Sequence, residues 1–122
     1  MKVPFNINLS GKTAIVTGGS GTLCSAMAYG LAVSSAKVAI IGRNIEKLAS
    51  VSEKLTKNAL DEYNKDVTIK GYSCNVINKD ELTAAYETIK NELGSCDILI
   101  NGAGGNQPGA ITSIEMLKKD KE

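Results

Sequence analysis

Four short apolar runs rich in Val, Ile and Thr, at residues 12–17, 36–41, 67–74 and 96–101, are separated by three longer stretches in which apolar residues recur every three or four positions. That alternation limits the fold more than any other feature. Consecutive parallel strands must be joined by a crossover long enough to bring the chain back to the same end, and a helix does this while covering one face of the sheet. An α/β architecture is therefore expected, built as one domain or part of one.

Each intervening stretch carries helix signals. After a glycine-rich turn, Leu23, Ala26, Met27, Gly30 and Leu31 fall at helical spacing and predict one inward face. That helix should end near Ser34 and Ser35, which close it less comfortably than a glycine would. Asn44 suits an N-cap, and Ile45, Leu48, Ala49, Leu55, Ala59 and Tyr63 are expected to face inward behind it. The run NKDE at residues 78–81 predicts a capping box, with Asn78 accepting from the third amide and Glu81 reaching back. Leu82, Ala85, Tyr86, Ile89 and Leu93 then mark a third buried face.

Composition removes several function classes. Across 122 residues, 14 Lys and Arg balance 13 Asp and Glu for a net charge of +1. No basic cluster exists to neutralise a run of phosphates, so no nucleic-acid partner is expected. The longest apolar runs are far too short to span a bilayer, and the N-terminal residues lack the apolar core of a signal peptide, so no membrane partner and a cytoplasmic setting are expected. Cys24, Cys74 and Cys96 form no CxxC pair, and without any histidine no metal site is expected; the cysteines read as reduced packing residues. The lack of histidine also removes the usual triads.

The segment TGGSGTLC, residues 17–24, follows the first predicted strand and opens the first predicted helix. Free amides and the helix dipole favour an anion at such a turn, and glycines let a phosphate approach the backbone, so Thr17, Gly18, Gly19, Ser20, Gly21, Thr22 and Leu23 are candidates for cradling a dinucleotide pyrophosphate. The alternative is a merely tight structural turn. At the end of the second strand an acidic residue would accept from a ribose 2′-hydroxyl, but the chain has Gly42, Arg43 and Asn44 there. Arg43 is the sole arginine, and its planar fork suits a 2′-phosphate, which favours NADP over NAD. A solvent-exposed arginine beside a strand end is the competing reading.

TGGSGTLC, GRN, CNV and NGAG, at these separations, together resemble the short-chain dehydrogenase/reductase family from about residue 9 to residue 106. The resemblance implies a Rossmann-type parallel sheet with helices on both faces, strand order 3-2-1-4. It also implies an NAD(P)-dependent oxidoreductase that transfers hydride between the nicotinamide and a carbonyl or alcohol. The family's cofactor loop usually reads TGxxxGxG; this chain keeps Thr17 and Gly18 but has Thr22 and Cys24 where the later two glycines belong. Asn75 and Val76 stand where an Asp-Val pair reads the adenine, with a polar loop residue as the other reading of Asn75. Asn101, Gly102, Ala103 and Gly104 match the NNAG segment that runs close to the cofactor. DILINGAGGN and TLCSAMA look particularly like the branch named for D-mannonate or fructuronate oxidoreduction, which would imply a sugar-acid substrate.

The family's chemistry uses a Tyr hydroxyl as acid or base, a Lys in YxxxK spacing and a Ser that orients the carbonyl, all well beyond NNAG. Tyr86 and Lys90 have the spacing by chance but precede the fourth strand, so no catalytic residue is expected in this chain. The resemblance thus implies the N-terminal cofactor-binding half of a longer enzyme, residues 1–122 forming an incomplete sheet of about four strands. A small-molecule substrate is expected only where the other half is supplied. The run CDILIN, apolar on both faces, would lie at an edge, so a homo-oligomer or pairing with a second polypeptide is expected. A non-catalytic nucleotide-binding or assembly module is the alternative. A methyl-transfer domain is disfavoured, since it would want an acid where Gly42 and Arg43 stand.

Overall fold

Thr13–Thr17, sequence TAIVT, is buried at every position, as a strand sandwiched between two helical layers must be. A computed structural model describes residues 7–18 and 21–102. In it β1 (Thr13–Thr17), α1 (Thr22–Val33), β2 (Lys37–Gly42), α2 (Ile45–Tyr63), β3 (Thr68–Ser73), α3 (Lys79–Glu92) and β4 (Ile98–Asn101) follow one another along the chain. All strand pairs are parallel, in the order β3-β2-β1-β4. The expected Rossmann-type sheet is present.

Alternation along the strands divides the core in two. Ala14, Val16, Val38, Ile40 and Ile69 face α1 and α2, while Ile15, Ala39, Ile41, Tyr72 and Cys74 face α3. Fully burying an Ile or Val side chain is worth about 1.5–3 kcal/mol, so the paired β1 and β2 runs anchor both layers.

α1 sits about one residue away from its predicted orientation. Cys24, Ala28 and Ala32 are buried, Met27 and Leu31 only pack alongside, and Leu23 is 73% exposed; Ala26 is exposed too. The helix is apolar nearly all round, so periodicity alone does not fix its inner face, and the smallest side chains take the closest approach to the sheet. α2 corrects a second expectation: Leu48, Leu55 and Ala59 face the core, but Ile45 and Ala49 are exposed and line a surface groove beside β3.

The caps differ in kind. Asn44 Oδ1 accepts from the Lys47 amide at 3.1 Å, as expected. Asn78 Oδ1 accepts from the amides of Asp80 and Glu81 at 3.0 and 3.2 Å, yet Glu81 does not close the capping box. Its Oε1 lies instead 3.4 Å from the Asn75 amide, because the Asn78 amide already donates to the Asn75 carbonyl.

α1 ends in a paired motif: the Ser35 amide donates to Ala32 O and the Ala36 amide to Leu31 O, with Ser35 at φ +81°. The left-handed backbone that glycine favours is thus carried by a serine. Ser35→Gly is expected to raise stability by about 1 kcal/mol, read as a higher midpoint in urea; an unchanged or lower midpoint would show that the turn holds Ser35 without strain.

Candidate functional site

Because β2 and β3 extend to one side of β1 and β4 to the other, the C-terminal strand ends open a crevice where the winding reverses. The described candidate residues gather at this end. Gly18 turns away from β1 at φ +72°, its amide donating to Ile41 O at 2.8 Å, and Gly21 donates back to Gly18 O at 3.0 Å. Gly21 is the N-cap of α1, and Thr22 and Leu23 begin the helix, exposed. Gly19, Ser20, Ala103 and Gly104 lie outside the described residues.

α1 starts differently from its neighbours. Asparagine side chains cap α2 and α3, and both carry acids in the first turn; α1 has no side-chain cap and no acid there. Among the described residues no cap or first-turn acid offsets its positive end, which suits an incoming anion.

The second wall is built from β4. Thr17 Oγ1 donates to Asn101 Oδ1 at 2.8 Å, and the Gly102 amide donates to Thr17 O at 3.2 Å, joining two candidate segments distant in sequence. A Cβ at residue 102 would lie 2.0 Å from Cys24 Sγ and 3.1 Å from Thr17 O. Glycine is the residue that fits without a shift of Cys24, and the contact explains why Cys24 matters here although it stands where the family pattern has a glycine.

On the other side, Gly42 O accepts from the Cys74 amide at 2.8 Å and Arg43 O accepts from Ser73 Oγ at 3.0 Å. Arg43 and Asn44 are exposed, and among the described residues no carboxylate pairs with the Arg43 guanidinium. Asn75 and Val76 are half-buried just past β3. Asn75 Oδ1 accepts from the Ile77 amide at 3.2 Å, which leaves the side-chain NH2 available as a donor. Burial, with Glu81 adding to it, pushes the Cys74 thiol up, so it stays protonated inside the α3-side core.

Tyr86 and Lys90 line a cavity with Ile15, Cys96 and Leu99, beside the start of β4 and away from the C-terminal strand ends. Burial, helped by Cys96 and Cys74, pushes the Tyr86 hydroxyl up, the opposite of what an activated tyrosine needs. Among the described residues no group of His, Cys, Asp or Glu could hold a metal ion, and no helix is long and apolar enough to cross a membrane.

A family profile described as short chain dehydrogenase matches residues 12–121. A Bacillus subtilis protein, "Uncharacterized oxidoreductase UxuB", is 42% identical over 98% of this chain and 41% of its own length. A Formosa agariphila 2-dehydro-3-deoxy-D-gluconate 5-dehydrogenase is 38% identical over 80% of this chain and 34% of its own. Among solved structures, that of a candidate D-mannonate oxidoreductase from Haemophilus influenza with bound NAD superposes with a TM-score of 0.74 at 36% identity, covering 90% of this chain and 37% of the other. The chain thus spans about two fifths of the relatives it matches.

Proposed function

The chain belongs to the short-chain dehydrogenase family, and from that premise we propose that residues 1–122 supply the dinucleotide-binding part of an NAD(P)-dependent oxidoreductase. The observation that carries this reading is the meeting of the Gly18 turn, the uncapped start of α1 and the Thr17–Asn101–Gly102 contact at one end of the sheet. Bound there, the nicotinamide would accept or give hydride to a carbonyl or alcohol. The residues of this chain bind and orient it. Residues 17–23 hold the pyrophosphate, Arg43 and Asn44 the ribose end, Asn75 and Val76 the base, and residues 101–104 the wall beneath the nicotinamide side.

NADP is the preferred cofactor in this reading, because among the described residues no carboxylate pairs with the Arg43 guanidinium and the sequence places no acid at the end of β2 to accept from a 2′-hydroxyl. The NAD in the Haemophilus structure makes the point worth measuring. Arg43→Ala is expected to weaken NADPH binding roughly 10- to 100-fold, the range for a lost charge-assisted pair, and NADH far less, as followed by nucleotide fluorescence. Equal loss for both would overturn the NADP preference.

A sugar-acid substrate is supported by two relatives named for such compounds, the gluconate-type dehydrogenase and the mannonate-type structure. A cytoplasmic setting and self-association belong to the same reading, the second favoured by Leu99, 54% exposed on a strand paired along one side only among the described residues.

A further inference from the structure

The turn that carries Arg43 is fixed from three directions. Ahead of it, Gly42 O accepts from the Cys74 amide; behind it, Asn44 caps α2 through the Lys47 amide and accepts from the Leu48 amide through its carbonyl. Between them, the Arg43 carbonyl accepts from the Ser73 hydroxyl at 3.0 Å. Ser73 ends β3 and sits in register with Gly42, so its side chain reaches across to the residue that follows the neighbouring strand. The peptide between Arg43 and Asn44 cannot rotate without breaking that bond, so the hydroxyl helps hold the turn from β2 into α2 on which the arginine stands.

The geometry points to Ser73 as a positioning residue for the Arg43 guanidinium, and through it a determinant of which nicotinamide dinucleotide the crevice holds. This rests on the proposed role of Arg43. The hydroxyl acts through the Arg43 carbonyl: it holds the turn on which the arginine stands, so less backbone freedom is lost when the guanidinium meets a 2′-phosphate. An NADH ribose gains nothing from the restriction because it has no phosphate for the fork to grip.

The test is the dissociation constants of NADPH and NADH for the whole chain, followed by nucleotide fluorescence. Ser73→Ala is expected to weaken NADPH by about three- to tenfold, the scale of one hydrogen bond, and NADH by less than about twofold. Ser73→Thr keeps the hydroxyl and is expected to stay within about twofold for both. Added to Arg43→Ala, Ser73→Ala is expected to change nothing further, since the two act as one unit. Equal weakening of NADPH and NADH by Ser73→Ala would assign the hydroxyl to the sheet framework alone and overturn the inference. Should Arg43→Ala separate the dinucleotides while Ser73→Ala does not, the positioning role fails and the role of Arg43 stands. If Arg43→Ala weakens both equally, or the unaltered chain binds neither, the underlying reading fails and this inference with it.

Discussion

Gly102→Ala is expected to destabilise the chain by about 1–3 kcal/mol and to abolish dinucleotide binding, because the added methyl has nowhere to go. Its carbon would sit 2.0 Å from Cys24 Sγ, a buried atom on the first turn of α1, and 3.1 Å from the Thr17 carbonyl that anchors the Gly102 amide. Relief requires that the buried Cys24 side chain take another rotamer or that β4 or the start of α1 move, and the last two are walls of the crevice. The same geometry supplies its own check. Cys24 Cβ lies 3.7 Å from the new carbon, ordinary contact distance, so removing the sulfur with Cys24→Ala leaves room on that side. The double variant is expected to be more stable than the sum of the single losses, measured by urea denaturation. Strict additivity would mean that the clash is relieved elsewhere.

Leu48→Ala is expected to cost about 2–5 kcal/mol, a large share of what a domain of this size commands. Leu48 is fully buried on the α2 face that meets the sheet. It fills the hollow left by two glycines: a Cβ on Gly42 would lie 3.3 Å from its Cδ2, and one on Gly71 2.8 Å from its Cβ. Neither glycine has a side chain with which to refill that space. Because Gly42 precedes Arg43, the damage should reach the crevice, and NADPH binding is expected to weaken along with the fall in the denaturation midpoint. A loss below about 1 kcal/mol would show that α2 settles onto the sheet and closes the gap.

Much of this arrangement was readable in the residues. The strands announce themselves because β1 and β2 are covered on both faces and so read as unbroken apolar runs, and the strand order follows from the resemblance to the short-chain dehydrogenase family. Asn44 and Asn78 signal their helices because capping is a local affair. What could not be read depends on partners distant in the chain. The inner face of α1 is set by how near Cys24, Ala28 and Ala32 let the helix come to β1, not by a polar outer face that α1 scarcely has. Ile45 and Ala49 sit at helical spacing with Leu48 yet overhang the outer margin of the sheet, where β3 has no neighbour among the described residues. Glu81 turns to Asn75 because a tight turn had already claimed the Asn78 amide. Within the crevice, Thr17, Gly18, Arg43 and Gly102 were named from motif spacing, but the Thr17–Asn101 bond, the Cys24–Gly102 fit and the Ser73 contact carry no signal in a linear pattern.

β1 meets β2 across 24 residues, Thr13 opposite Lys37, and β2 meets β3 across 31, Val38 opposite Ile69. Its bonds to β4 span 84: the Thr13 amide to Asp97 Oδ2 and the Thr17 hydroxyl to Asn101 Oδ1. Closing the longer loop carries a greater entropic cost, and contacts of that range are rewarded only after the nearer ones exist. During folding β4 is thus expected to arrive last, docking on a β1–β2–β3 unit that already holds the glycine turn and the arginine. Refolding kinetics followed at two points should separate them, with the core around Ile40 and Leu48 acquiring protection from hydrogen exchange before the amide of Gly102, so that the crevice gains its second wall at the end of the reaction.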